Sequence, residues 1–107
     1  MVDKAIVNKV QLYLRLLAER GLKPQFGVIF GSYATGEPHR WSDIDVMVVS
    51  SHFDGQHKRR DRDLLWTSVI PIDSHIEPVP CGLKQWEDDD GTPLIEIVRR
   101  EGVMVWR

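Results

Sequence analysis

The chain has 107 residues, of which 42% are hydrophobic and 28% charged. That is close to the globular average, and it excludes a disordered tail, a collagen-like repeat and a disulfide scaffold. Fourteen Lys and Arg against sixteen Asp and Glu leave a formal charge of −2, without the basic excess that marks proteins living on phosphate contacts.

The length allows one domain over 1–107 with a single modest core. The lone Cys81 cannot form an intramolecular disulfide, which suits a reducing compartment. No apolar run of 18 residues exists to span a bilayer, and the start Met1-Val2-Asp3-Lys4 is unlike a secretory signal. A cytoplasmic domain with no membrane partner is the expectation.

From Asp3 to Arg20, Ile6, Val10, Tyr13, Leu14 and Leu17 fall at helical spacing, Leu12 and Leu16 widen the stripe, and Gly21 stands at the stop. Phe26 to Phe30 is a short β-branched and aromatic run that reads as a strand. A second strand spans Ile44 to Val49, and its continuously apolar second half predicts a central position covered on both faces. Ser50 to Lys58 reads as loop and Arg59 to Trp66 as a short helix, where Lys58, Arg59, Arg60 and Arg62 interleave with Asp61 and Asp63 as a solvated face.

Ser68 to Pro80 reads as a third strand, with Ile70, Ile72, Ile76 and Val79 as its apolar members. Prolines at 71, 78 and 80 push it toward an edge. Glu87 to Asp90 form an acidic turn, its charges placed to favour the positive end of the following helix. That helix has Thr92 as N-cap, Pro93 at its first position and Leu94, Ile95, Ile97 and Val98 as its apolar face. Gly102 ends it, and Val103 to Trp106 closes as a last strand. The class is α/β, with three or four strands and about three helices.

Chemistry concentrates between Phe30 and Asp45. A strand ending in Gly31-Ser32 lets backbone approach a ligand, and the serine hydroxyl and nearby N–H groups suit phosphate oxygens. Asp43 and Asp45, alternating on one strand, project to the same face with Cα atoms about 6.6 Å apart. Such a pair can reach one divalent cation or bridge two, and hard oxygen ligands favour Mg²⁺. Unpaired, the carboxylates would repel each other.

Gly-Ser, ten intervening residues and Asp-x-Asp resemble the signature of the polymerase β-like nucleotidyltransferases. With Gly36 and Ser42-Asp43-Ile44-Asp45, the chain resembles their minimal members along nearly its whole length. The resemblance implies a small mixed sheet with helices packed on it, and transfer of a nucleoside monophosphate from a nucleoside triphosphate. Gly31, Ser32 and Ser42 would bind the nucleotide, and Asp43 and Asp45 would hold Mg²⁺, two ions in all. Glu77 is the expected third carboxylate, as ligand and as base toward the acceptor hydroxyl, with Asp73 in reserve; by parity Asp73, His75 and Glu77 share a strand face. Several minimal members resemble antitoxins of HEPN-domain toxins, which implies ATP as donor and a tyrosine of the partner as acceptor. The alternatives are a non-catalytic module that neutralises its partner by contact, and an enzyme acting on a small molecule or RNA with a separate acceptor-binding subunit. The near-neutral charge weighs against nucleic acid.

The remaining chemical side chains have plainer readings. His39, His52 and His57 show no zinc spacing with Cys81, His75 reads as a surface residue, and Cys81 as a small packing residue or a partly exposed one. Trp41, next to the motif, is a candidate for stacking on a base.

Overall fold

The computed structural model describes residues 2–36, 43–55, 58–88 and 91–107. Helix α1 (Lys4–Glu19) opens where the Asp3 carboxylate accepts from the Ala5 N–H at 2.8 Å. It closes at Gly21, whose φ of +98° lets Leu22 N–H reach back to Leu17 O and Gly21 N–H to Ala18 O, the paired bonds of a glycine-terminated helix. Val10, Tyr13, Leu14 and Leu17 are fully buried beneath it, and each side chain so buried contributes about 1.5–3 kcal/mol. Leu12 stays outside, 54% exposed, so the stripe is narrower than its leucines suggest.

Four strands form one mixed sheet in the order β3-β2-β1-β4. Strand β1 (Phe26–Phe30) lies antiparallel to β2 (Ile44–Ser50) and to β4 (Val103–Val105), while β2 runs parallel to β3 (Ile76–Gly82). The expected central strand is therefore β2. Its Ile44, Val46 and Val48 enter a core with α1 and Leu65, and Met47 and Val49 enter a second core on the opposite face with Phe26, Cys81, Ile95 and Val98. Asp45 has the parity of that second face. Helix α3 (Arg59–Thr67) supplies Leu65, and the Tyr13 hydroxyl donates to Leu65 O at 2.8 Å, tying α1 to α3. The Arg59–Asp63 pair on α3 is wide at 4.0 Å and largely solvated, as its interleaved charges predict.

The third strand differs from its sequence reading. Residues 68–75 turn rather than extend, with Ile72 and Asp73 N–H both donating to Val69 O and Ile76 N–H to Asp73 O. Pro71 fixes its own φ and brings no N–H, and the Asp73 carboxylate accepts from His75 N–H at 2.8 Å, a local turn that competes with extension. Ile70 is consequently 73% exposed. Pro78 and Pro80 do lie on an edge strand, where only alternate N–H groups face a neighbour.

Helices α2 (Ser32–Thr35) and α4 (Leu83–Asp88) and the 3₁₀ turn Ser51–Phe53 are too short to leave a periodic signal. Glu87 and Asp88 end α4 rather than lead a helix; Asp89 and Asp90 lie outside the described residues. Helix α5 (Pro93–Glu101) starts at Thr92 and Pro93 as expected, yet buries only Ile95 and Val98. Leu94 and Ile97 face outward because the helix meets the sheet along one i, i+3 line.

Candidate active site

The apolar cover on the second face ends before the start of β2 and β3, and there the polar residues gather. Asp45 stands in register with Phe30 of β1 on one side and Glu77 of β3 on the other. Asp43 immediately precedes β2 and is exposed. The Glu77 carboxyl lies within side-chain reach of both Asp43 and Asp45. Two strands thus bring together residues separated by more than thirty positions in sequence.

Like charge dominates this corner. Glu77, although exposed, is pushed up from the usual carboxylate range by desolvation and by contact with Asp43 and Asp45. Asp45 is pushed up by burial and by the Asp43 charge, against a lowering contact from Glu77. Among the described residues, no three His, Cys, Asp or Glu side chains already enclose a point as metal ligands do. The donor set nevertheless fits Mg²⁺ chemically: it is all carboxylate oxygen, and a divalent cation relieves the repulsion that raises both groups.

Gly31 brings the phosphate-type turn against this cluster. Its φ of +74° and ψ of −150° lie in a region essentially confined to glycine. A Cβ here would stand 2.3 Å from Asp45 Oδ2, so the carboxylate packs directly over the bare α-carbon. Ser32 then opens α2, half-buried beside that contact. Ala34 and Thr35 N–H both donate to Gly31 O, and Thr35 Oγ1 donates toward Gly31 O and Ser32 O at 3.4 and 3.3 Å. Tyr33 packs against the α1-side core and anchors the turn. These supporting roles of Thr35 and Tyr33 were not visible in spacing, since they arise from the turn closing on itself.

Asp73 does not belong to the cluster, which corrects its place as reserve ligand. Its carboxylate accepts from Lys9 Nζ at 2.6 Å and from His75 N–H, and it faces His75 Nδ1 at 2.8 Å. Burial works to raise it, but the Lys9 and His75 bonds prevail and hold it at about 2. Because 73–75 form a turn, the shared strand face with Glu77 does not exist. His75 O accepts from Ile44 N–H at 2.8 Å, so this turn braces the start of β2. Lys9, the anchor, carried no sequence signal because its partner is 64 residues away.

Ser42, Trp41, His39 and His57 lie outside the described residues. Cys81 is buried in the second core, as a packing residue should be. A cavity of about 460 Å³ near Asp54, Gly82 and Lys84 opens at the far end of β3. There Asp54 accepts from Lys84 N–H at 3.1 Å and starts α4, a structural role.

A four-stranded mixed sheet with paired carboxylates at one strand start and a Gly-Ser turn beside them defines a nucleotidyltransferase-type α/β domain. The chain belongs to the nucleotidyltransferase domain family, which matches residues 13–97. Among solved structures, it is similar to a toxin–antitoxin structure with AMP-PNP, at 28% identity and a TM-score of 0.64, covering 94% of this chain and 72% of that one. An MntA-HpeT toxin–antitoxin mutant matches at 26% identity and a TM-score of 0.63, again over 94% and 72%. A proposed nucleotidyltransferase from Sulfolobus solfataricus shares the fold at 16% identity, with a TM-score of 0.67 over 96% of this chain and 81% of that one. No curated protein is significantly similar in sequence. Among the described residues, no helix is long and apolar enough to cross a membrane.

Proposed function

We propose that the chain transfers AMP from ATP to a tyrosine hydroxyl of a HEPN-type toxin, as the antitoxin of that pair, in the cytoplasm. The observation that carries this reading is the β2–β3 register, which sets Glu77 beside Asp45 with Asp43 one residue ahead of the strand. The toxin–antitoxin neighbours, one of them with AMP-PNP, support the donor and the kind of partner. The formal charge of −2 weighs against a nucleic-acid acceptor.

In this reading Gly31 and Ser32 take the β- and γ-phosphates, Ser42 adds a contact to the nucleotide, and Asp43, Asp45 and Glu77 hold Mg²⁺, two ions in all. Bound there, the metal supplies charge neutralisation to the triphosphate and the departing diphosphate. Glu77 helps take the proton from the acceptor hydroxyl as its oxygen bonds to the α-phosphorus. The bond from that phosphorus to the bridging oxygen breaks, and diphosphate leaves. Most of the rate then comes from positioning and charge, as in phosphoryl transfer generally.

The test is incubation of the chain with α-labelled nucleoside triphosphates, Mg²⁺ and a co-expressed HEPN-domain toxin. Label from ATP is expected on a toxin tyrosine and is expected to vanish with Asp43→Asn/Asp45→Asn. Transfer that survives the double substitution overturns the site. A stable complex with no transfer from any nucleotide overturns the catalytic reading in favour of neutralisation by contact.

A further inference from the structure

A second polar cavity, of about 270 Å³, lies between the end of α1, the 3₁₀ turn after β2 and the start of α3. Arg20, His52, Lys58, Arg60, Asp61 and Leu64 line it. Three cations therefore share one pocket with one carboxylate, in a chain whose overall charge is negative. Among the described residues, neither Arg20, Lys58 nor Arg60 forms an ion pair. Arg20 is nevertheless held in place, because its Nη1 donates at 3.0 Å to the hydroxyl of the buried Ser68.

The placement of Lys58 and Arg60 runs against local preference. They flank the first residue of α3, and the first turn of a helix is the positive end of its dipole, where acidic side chains are favoured. Asp61 offsets this only in part. A local rule broken with only partial internal compensation is the kind of conflict that functional sites carry. Arg20, Lys58 and Arg60 are all exposed to solvent, so an anion can enter the pocket from outside and meet the helix end and these cations together.

We infer that this pocket binds a phosphate group, as a free inorganic diphosphate or as the backbone of a short single-stranded RNA, at a site separate from the carboxylates. The size decides how much of the ligand enters: ligand sites for whole small molecules run from about 300 to 1,000 Å³, so 270 Å³ takes the phosphate end alone. The position decides that the sites are distinct. Asp45 stands at the start of β2 and His52 just past its end, about 20 Å away at strand rise. The repelling carboxylates also disfavour an unchelated anion at their own end.

The test is amide chemical-shift mapping on the labelled full chain in EDTA, titrated with inorganic diphosphate, with a short single-stranded RNA, and with chloride at matched ionic strength. Shifts are expected at Gly21, Lys58, Arg60 and Asp61 with diphosphate, RNA or both, and not with chloride. Binding at least tenfold tighter for the RNA identifies a nucleic-acid source; otherwise the free anion is the ligand. Lys58→Ala/Arg60→Ala is expected to weaken binding at least tenfold. Arg59→Ala removes the same type of charge from a neighbouring exposed position outside the lining, and it is expected to change binding less than twofold. Shifts confined to Gly31 and Ser32, equal shifts with chloride, or equal losses for Arg59→Ala and Arg60→Ala each overturn the proposal. The wild-type map stands even if a variant folds poorly.

Discussion

Asp73 and Asp45 are the same residue type near the same end of the sheet, and they are held in opposite ways. Asp73 has Lys9 and His75 as partners and is depressed to about 2. Asp45 is raised, by burial first and then by the Asp43 charge, with a single lowering contact from Glu77. One carboxylate is satisfied by the fold and stabilises it. The other is desolvated beside two further carboxyl groups, with no cationic side chain among its interactions with the described residues. Partners, rather than residue type or strand parity, set the two carboxylates apart.

The sharpest way to break this comparison is to neutralise each side. Asp45→Asn is expected to lower AMP transfer by about 100-fold or more, on the scale of losing a main electrostatic stabiliser. Asp73→Asn is expected to leave transfer within about threefold, since a part-buried pair acts on stability rather than chemistry. A labelled-nucleotide assay on both variants checks this, and comparable losses would erase the distinction.

Gly31→Ala comes next, because its Cβ would stand 2.3 Å from Asp45 Oδ2 at a positive φ. Denaturant unfolding should show a loss of about 1–3 kcal/mol, together with loss of transfer. Smaller is Asp73→Asn itself, expected to cost about 1 kcal/mol at neutral pH. The sign with pH follows from its depressed value. Its contribution is present above the ordinary 3.8 and is lost as pH falls toward about 2, so the variant and native unfolding curves should converge in strong acid.

The smallest effect sharpens the contrast most. In EDTA, Asp45→Asn should raise the thermal midpoint slightly rather than lower it, because it removes a desolvated charge and its repulsion with Asp43. Added Mg²⁺ should then stabilise the native chain and leave the variant nearly unmoved. A variant that melts lower in EDTA would show that Asp45 is structural after all.

Much of this organisation was legible in the linear chain. The periodicity of α1, the central character of β2 and the caps of α5 follow from local patterns, because each is set by neighbours a few residues away. The Gly31-Ser32 and Asp43-x-Asp45 spacing was enough to indicate the family, which the match over 13–97 bears out. The third strand was misplaced because Ile70 and Ile72 share the composition of a strand. Pro71 and the Asp73 side chain bend that stretch into turns through contacts that composition does not encode. Leu94 and Ile97 likewise belong to an apolar helix face by pattern, yet only contact with the sheet decides which part of the face is covered.

Sequence alone therefore determined the type of fold and named the acidic groups worth watching. Tertiary structure decided their surroundings. Parallel pairing of β2 with β3 sets Glu77 beside Asp45, and a lysine from α1 draws Asp73 away into an ion pair. The reason is physical: motif and periodicity act over short spans of chain, whereas charge pairing depends on which distant segments the sheet brings within a few ångströms.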